Sequence, residues 1–214
     1  YMDPPRPVYE KLFELVRDKD YFVLTTNVDH CFQKAGFDKH RLFYTQGDYG
    51  LCQSVNRHIQ KTWDNEDWVM QAMEAQGFEK GTDGIYRIPK QGVSMRIPKN
   101  LIPVCPENGS DVTMNLRSDD TFVEDEGWHE AAGNYEEFLH SVEGEHVLFL
   151  ELGVGGNTPV IIKFAFQNMT AENPQAVYAC INYNEAYAPE EIADRSIVIN
   201  GDAGKIISRL LDDK

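Results

Sequence analysis

Asn27 and Asp29 stand two residues apart just past an apolar run, Tyr21-Phe22-Val23-Leu24. Gln46-Gly47 closes a second run, Arg41-Leu42-Phe43-Tyr44-Thr45. An amide and a carboxylate at the carboxyl end of a strand can orient a polar ligand or hold a water, and in open α/β sheets that end is where ligands bind. The residues after Asn27 read as a helix running to Ala35-Gly36, where glycine can take the left-handed conformation that ends it. Thr26 or Asn27 would serve as well to cap that helix. Spacing alone leaves both roles open. His30, beside Asp29, reads more readily as an exposed histidine of the first turn than as a ligand contact.

The elements that must position these groups follow from the surrounding pattern. Strand, helix and strand with short joins form a βαβ unit, which implies a parallel sheet. Ahead of it lie a Pro-rich loop at residues 2–6 and a helix from Pro7 to about Arg17, with Tyr9, Leu12, Phe13 and Val16 at helical spacing. From Gly47 to about Asp120 Gly and Pro recur at short intervals, and only a helix from Trp63 to Gly77 stands out. Arg-Ile-Pro-Lys occurs at 87–90 and again at 96–99, which reads as a local duplication or a hairpin. Patterning returns at Gly127 with a helical stripe through Trp128, Ala131, Tyr135 and Phe138. Strands are expected at 147–150, 176–181 and 196–199, and an amphipathic helix at 203–211. The chain thus reads as one α/β domain over 1–46 and 121–214, interrupted by a small inserted domain at 47–120.

Bulk properties narrow the function classes. A formal net charge of −15 over 214 residues argues against nucleic acid or an anionic membrane surface as partner, since both need clustered Lys and Arg. No apolar run approaches the roughly 20 residues of a membrane span. Cys31, Cys52, Cys105 and Cys180 form no CxxC pair, which suits a reduced, cytoplasmic setting.

On its motifs the sequence resembles the sirtuins, the NAD-dependent deacylases and ADP-ribosyltransferases. Their strand–helix motif T-Q-N-I-D-x-L-H-x-x-A-G is matched in length by Thr25-Thr26-Asn27-Val28-Asp29-His30-Cys31-Phe32-Gln33-Lys34-Ala35-Gly36. The family's H-G corresponds to Gln46-Gly47, its G-T-S to Gly153-Val154-Gly155, its I-N to Ile181-Asn182 and its G-D-A to Gly201-Asp202-Ala203. Each motif alone is weak; five in order span nearly the whole chain. Gln46 in place of the family's histidine, the run Tyr44 to Gly50 and the segment Met114 to Glu124 look like the class M sirtuins, the group found with macrodomain proteins.

The resemblance implies a Rossmann-type fold, NAD as cofactor, and mono-ADP-ribosylation of a lipoylated glycine-cleavage H-like carrier, with a macrodomain protein as functional partner. It implies that Asn27 sits beside the nicotinamide ribose, with Thr26 next to it, and that Asp29 contacts the nicotinamide side. Gly153 and Gly155 would let the backbone approach the ribose and phosphates. Val154 and Gly155 remove two hydroxyl donors, so backbone N–H groups or Asn157 would replace them. Asn182 would bond the adenine ribose, and Asp202 and Ala203 would line the adenine end. Arg117, Asp119 and Asp120 read either as contacts to ribose or substrate or as a solvated loop.

Gln46 decides the reaction type. A general base contributes about 10²–10⁴-fold and must titrate near the working pH. A glutamine amide takes no proton there. Deacylation by the family's route should suffer most, whereas ADP-ribosyl transfer needs only departure of nicotinamide and attack by a protein nucleophile. Gln46 is therefore expected to orient the ribose. A deacylase or delipoylase using another base, and a catalytically weak sensor of NAD or ADP-ribose, are the rival readings.

Two family features are expected to be missing. Structural zinc wants four Cys or His ligands, but Cys105-Pro106-Glu107-Asn108-Gly109 carries Asn108 where the second cysteine of a pair should stand, leaving Cys105 with His58. The insert is expected to be a zinc-site remnant held by Trp63, Trp68 and Phe78. The family's Gly-Ala-Gly-Ser turn, the usual phosphate cradle of the first strand–helix unit, does not occur either. The chain is accordingly expected to be partial, with that first βα unit ahead of Tyr1.

Overall fold

The computed structural model describes residues 6–212. The Pro-rich stretch expected as a loop lies, apart from Arg6, outside the described residues. In chain order the elements are α1 (Pro7–Val16), β1 (Val23–Thr25), α2 (Cys31–Lys34), β2 (Leu42–Tyr44), β3 (Gly47–Ser54), β4 (Thr62–Asp64), α3 (Glu66–Gln76), β5 (Glu79–Lys80) and β6 (Tyr86–Arg87). They continue with β7 (Val112–Leu116), α4 (Glu126–Ser141), β8 (Leu148–Leu152), a π-helical turn Val160–Phe164, α5 (Ala165–Glu172), β9 (Val177–Asn182), β10 (Ser196–Asn200) and α6 (Ala203–Asp212).

Two compact units emerge. One takes the described residues 6–26, Cys31–Thr45 and 130–212; the other takes Asn27–His30 and Gln46–His129. The first is built on parallel strands. β1 pairs with β2, Val23 opposite Leu42 and Thr25 opposite Tyr44, and β9 lies between β8 and β10. Strands covered on both faces need near-continuous apolar runs. Tyr178, Ala179, Cys180 and Ile181 of β9 are accordingly all buried. Pro7 starts α1, where its missing N–H costs nothing, and Leu12 meets Ile207 of α6 and Phe37 in one cluster. A second cluster joins Phe149, Tyr178, Cys180 and Ile192. The Tyr135 phenol, half-buried on α4, is pushed up to about 12 by desolvation.

The second unit is antiparallel, with strand order β4-β3-β7 and a small β5-β6 hairpin. Its interior is polar. Gln53, Ser54, Asn65 and Asn115 are buried. The Gln53 side chain accepts from the Asn115 amide at 2.9 Å and the Val123 N–H at 3.0 Å, and donates to the Thr121 carbonyl at 2.8 Å. α3 ends at Gly77, whose φ of +93° is left-handed as its type predicts.

Several expectations need correction. Residues 47–120 are not irregular around one helix: they hold a three-stranded sheet. Its strand β3 reads Gly-Asp-Tyr-Gly-Leu-Cys-Gln-Ser and buries polar side chains, so no apolar alternation marks it. The helix expected from Asn27 is a single turn at Cys31–Lys34, because His30 takes a left-handed φ of +58° that breaks any helix there. Gly36, at φ +98°, ends that turn as expected. The two Arg-Ile-Pro-Lys copies form no hairpin. Arg87 pairs with Glu79 across β5 and β6, whereas the second copy leads into a 3-10 turn at Lys99–Leu101. Trp63, Trp68 and Phe78 are only half-buried.

Candidate functional site

In the antiparallel unit, residues 27–30 form neither helix nor strand and bend at Asp29, and the Tyr49 N–H of β3 donates to the Val28 carbonyl at 3.1 Å. Asn27 and Asp29 are exposed. Neither Thr26 nor Asn27 caps a helix, since the turn that follows begins only at Cys31. Gln46 is half-buried, and its carbonyl accepts the Arg117 N–H at 2.9 Å. Gly47 follows at φ +100°, and a Cβ there would come within 2.1 Å of the Asn115 carbonyl oxygen. No other residue fits, so this contact fixes the backbone that presents Gln46.

His30 is not an exposed first-turn residue. Its Nε2 meets Asp48 Oδ1 in a short hydrogen bond, with the imidazole about one third exposed at 36% and the carboxylate at 12%. Asp48 sits where the β3–β7 register shifts between Asp48 and Cys52, a bulge of the kind that re-aims a side chain. The Gly50 N–H donates to the same Oδ1 at 2.6 Å. A Cβ on Gly50 would stand 2.7 Å from the imidazole Cε1 and 3.0 Å from Oδ1. Asn65 secures the bulge, its side-chain amide donating to the Tyr49 carbonyl at 2.8 Å and its N–H to the Gly50 carbonyl at 3.0 Å. A histidine in a helix-like motif gave no signal of this arrangement; its partner lies 18 residues on.

Arg117 stacks over Phe122 at 4.4 Å and Trp128 at 5.6 Å and pairs with Glu124 at 2.5 Å. Asp119 accepts from the Thr121 N–H and hydroxyl at 2.8 and 2.6 Å, bonds that hold its carboxyl below the usual range. Asp120 pairs with Arg57 at 3.7 Å, both exposed. Of the three, only Arg117 is held by aromatic rings; the acids form a solvated turn.

In the parallel unit the expected binding residues gather at strand ends. Thr26 follows β1. Gly153, at φ +66°, leaves β8 with its N–H donating to the Ile181 carbonyl at 2.9 Å. Asn182 is buried at the end of β9 and donates to the Val154 carbonyl at 2.8 Å, so it shapes the Gly153–Gly155 turn from beneath. Gly155 and Asn157 are exposed. Gly156 donates to Glu185 at 3.0 Å, on the rim of a hollow of about 480 Å³ also lined by Lys163, Asn184 and Tyr187. Asp202 caps α6, accepting the Lys205 N–H at 2.9 Å, with Ala203 as its first residue. Beneath the glycine turn lies a group that the sequence reading missed. Glu151 and Lys163 form a 2.6 Å ion pair at 0% and 4% side-chain exposure, and Tyr178 and Cys180 both donate to the same carboxylate. Burial, then Glu151, drive the Tyr178 phenol far above its usual range, and burial raises the Cys180 thiol.

Cys105 is buried, and burial with Cys105 nearby raises the Cys52 thiol. Asn108 Oδ1 accepts the Ser110 N–H at 3.0 Å, holding the turn where a second ligand would stand. Among the described residues no three His, Cys, Asp or Glu side chains group as a metal site, and no helix is long and apolar enough to cross a membrane.

No protein-family model matches the chain. It is 32% identical over 213 residues to a protein ADP-ribosyltransferase of Staphylococcus aureus, covering 99% of this chain and 62% of that protein. It is 27% identical over 216 residues to a "probable bifunctional ADP-ribose hydrolase/ADP-ribosyltransferase" of Fusarium oxysporum f. sp. cubense, covering 96% and 34%. The chain thus spans under two thirds of the length of these relatives. Among solved structures it superposes on a sirtuin with a TM-score of 0.58 at 16% identity, over 99% of this chain and 73% of that one. A Sir2 bound to an acetylated peptide gives 0.56 at 15%, over 99% and 71%. The fold is the α/β, Rossmann-type fold of the sirtuins with a small inserted unit. The chain has the fold of the sirtuins, and in sequence it is similar to the staphylococcal protein ADP-ribosyltransferase.

Proposed function

We propose that the protein transfers ADP-ribose from NAD to a protein, as a mono-ADP-ribosyltransferase of the class M sirtuin type, with a lipoylated glycine-cleavage H-like carrier as substrate. The observation that carries this reading is Gln46. Its backbone is fixed by Arg117 and by a glycine with no room for a side chain, so an amide stands where a deacylase of this fold would place a titrating imidazole. That amide can orient a ribose hydroxyl but cannot take its proton. Asn27 and Asp29, exposed on an irregular segment, would engage the nicotinamide end together with Gln46. Thr26 would adjoin them. Gly153, Gly155, Asn157, Asn182, Asp202 and Ala203, at strand ends and a helix start, would take the rest of NAD, which supplies the electrophilic ribose carbon and the nicotinamide leaving group. The name of the fungal relative joins a hydrolase to a transferase, which supports a macrodomain-type ADP-ribose hydrolase as functional partner. The four cysteines form no disulfide among the described residues, which suits a cytoplasmic setting.

Incubating the full-length protein with NAD and the lipoylated carrier tests the reading by intact mass. The carrier should gain one ADP-ribose; loss of its acyl group as acyl-ADP-ribose would overturn it. A second reading, deacylation with a substitute base, is favoured by the His30–Asp48 pair and predicts the latter outcome.

A further inference from the structure

We infer that Glu185 is a specificity-determining residue of the glycine turn: its carboxylate occupies a place that a ligand phosphate would take, so an anionic ligand must displace it or bear its repulsion. The turn reads Gly153-Val154-Gly155-Gly156-Asn157, and three glycines in five residues leave its backbone N–H groups open to approach. Bare backbone N–H groups of this kind are what phosphates seek. One of them is already taken. Gly156 donates to Glu185 Oε2 at 3.0 Å, and the same oxygen stands 3.7 Å from where a Cβ on Gly155 would be. The negative charge therefore lies against both glycines, between Gly155 and Asn157, which the transferase reading gives to NAD. No cation lining the adjoining hollow offsets it. The charged residues of that lining are Glu185 and Lys163, and the Lys163 ammonium is paired with Glu151 at 2.6 Å, out of solvent. With that pair neutral, Glu185 is the net charge of the hollow. Its side chain is exposed and held to the turn by one hydrogen bond, so a stronger acceptor can push it aside. The acid thus acts as a built-in rival to phosphate: it leaves neutral ligands alone, weakens anionic ones and hastens the departure of an ADP-ribose group.

The inference rests on the reading of the turn as part of the NAD site. Calorimetry on the full-length protein tests it, with ADP-ribose, adenosine and inorganic pyrophosphate as ligands of wild type, Glu185→Gln and Glu185→Ala. Glutamine keeps an acceptor for the Gly156 N–H and removes the charge. Glu185→Gln should bind ADP-ribose about fivefold more tightly than wild type, the size of one like-charge contact at the dielectric of water. Glu185→Ala should do the same, and adenosine should bind all three proteins equally. The gain should shrink as salt approaches about 1 M, where charges are screened beyond roughly 3 Å. Weaker ADP-ribose binding by both variants would overturn the inference and mark the carboxylate as an acceptor for ligand hydroxyls. Unchanged affinity, or a gain that high salt leaves intact, would overturn it as well. If no protein binds ADP-ribose but Glu185→Gln still gains affinity for pyrophosphate, the NAD reading falls and the rivalry at the turn stands. Absence of that gain removes both.

Discussion

The two units solve opposite problems with opposite interiors. The parallel unit buries Tyr178, Ile181, Ile192 and Ile207. The antiparallel unit buries Gln53, Asn65 and Asn115. Apolar packing is non-directional and tolerates small shifts. A buried amide network does not, because each donor left unpaired carries a desolvation cost. The β3 bulge that carries Asp48 lies in the unit held by directional bonds.

The comparison breaks most sharply at its exception, the Glu151–Lys163 pair inside the parallel unit. Lys163→Met should destabilise by about 3–5 kcal/mol, because it strands a buried carboxylate, whereas Glu151→Leu with Lys163→Met should restore most of that; urea unfolding reads both. Gly47→Ala comes next. Left-handed strain and the clash with Asn115 together predict a loss of about 2–4 kcal/mol, again by urea unfolding. Asn65→Ala should cost about 1–3 kcal/mol through the unpaired Tyr49 carbonyl and released bulge, read by the same urea unfolding. The smallest effect belongs to Asp119. Its depressed folded pKa means that its contribution is present above the ordinary carboxylate range and is lost as pH falls through the folded value, so acidification should loosen the 119–121 turn first, seen as faster exchange of the Thr121 amide.

How legible each region was follows from the same contrast. The parallel strands announce themselves as apolar runs, and β9 and β10 fall within a residue or two of their expected bounds. Gln46-Gly47 and the glycine turn at Gly153 could be singled out through the resemblance to the sirtuin motifs, and Gly47 and Gly153 both take left-handed backbone. β3 could not, because its buried positions are Asp48, Gln53 and Ser54, polar residues satisfied by partners tens of residues away. The Asn27 segment was misread as helix for a related reason. Its local signals favour a helix start, and long-range bonds, from His30 to Asp48 and from the Tyr49 N–H to the Val28 carbonyl, run against them. The Lys163 pair lies in a stretch, Val-Ile-Ile-Lys-Phe, whose β-branched residues give no hint of a π-helical turn.

Each unit also contains one fully buried thiol, Cys105 at 1% exposure in the antiparallel unit and Cys180 at 0% in the parallel one, while Cys31 and Cys52 are half-buried. A buried thiol reacts only when the structure around it opens. The two cysteines are therefore separate clocks: the modification rate of Cys105 times the opening of the polar interior, and that of Cys180 the opening of the apolar one.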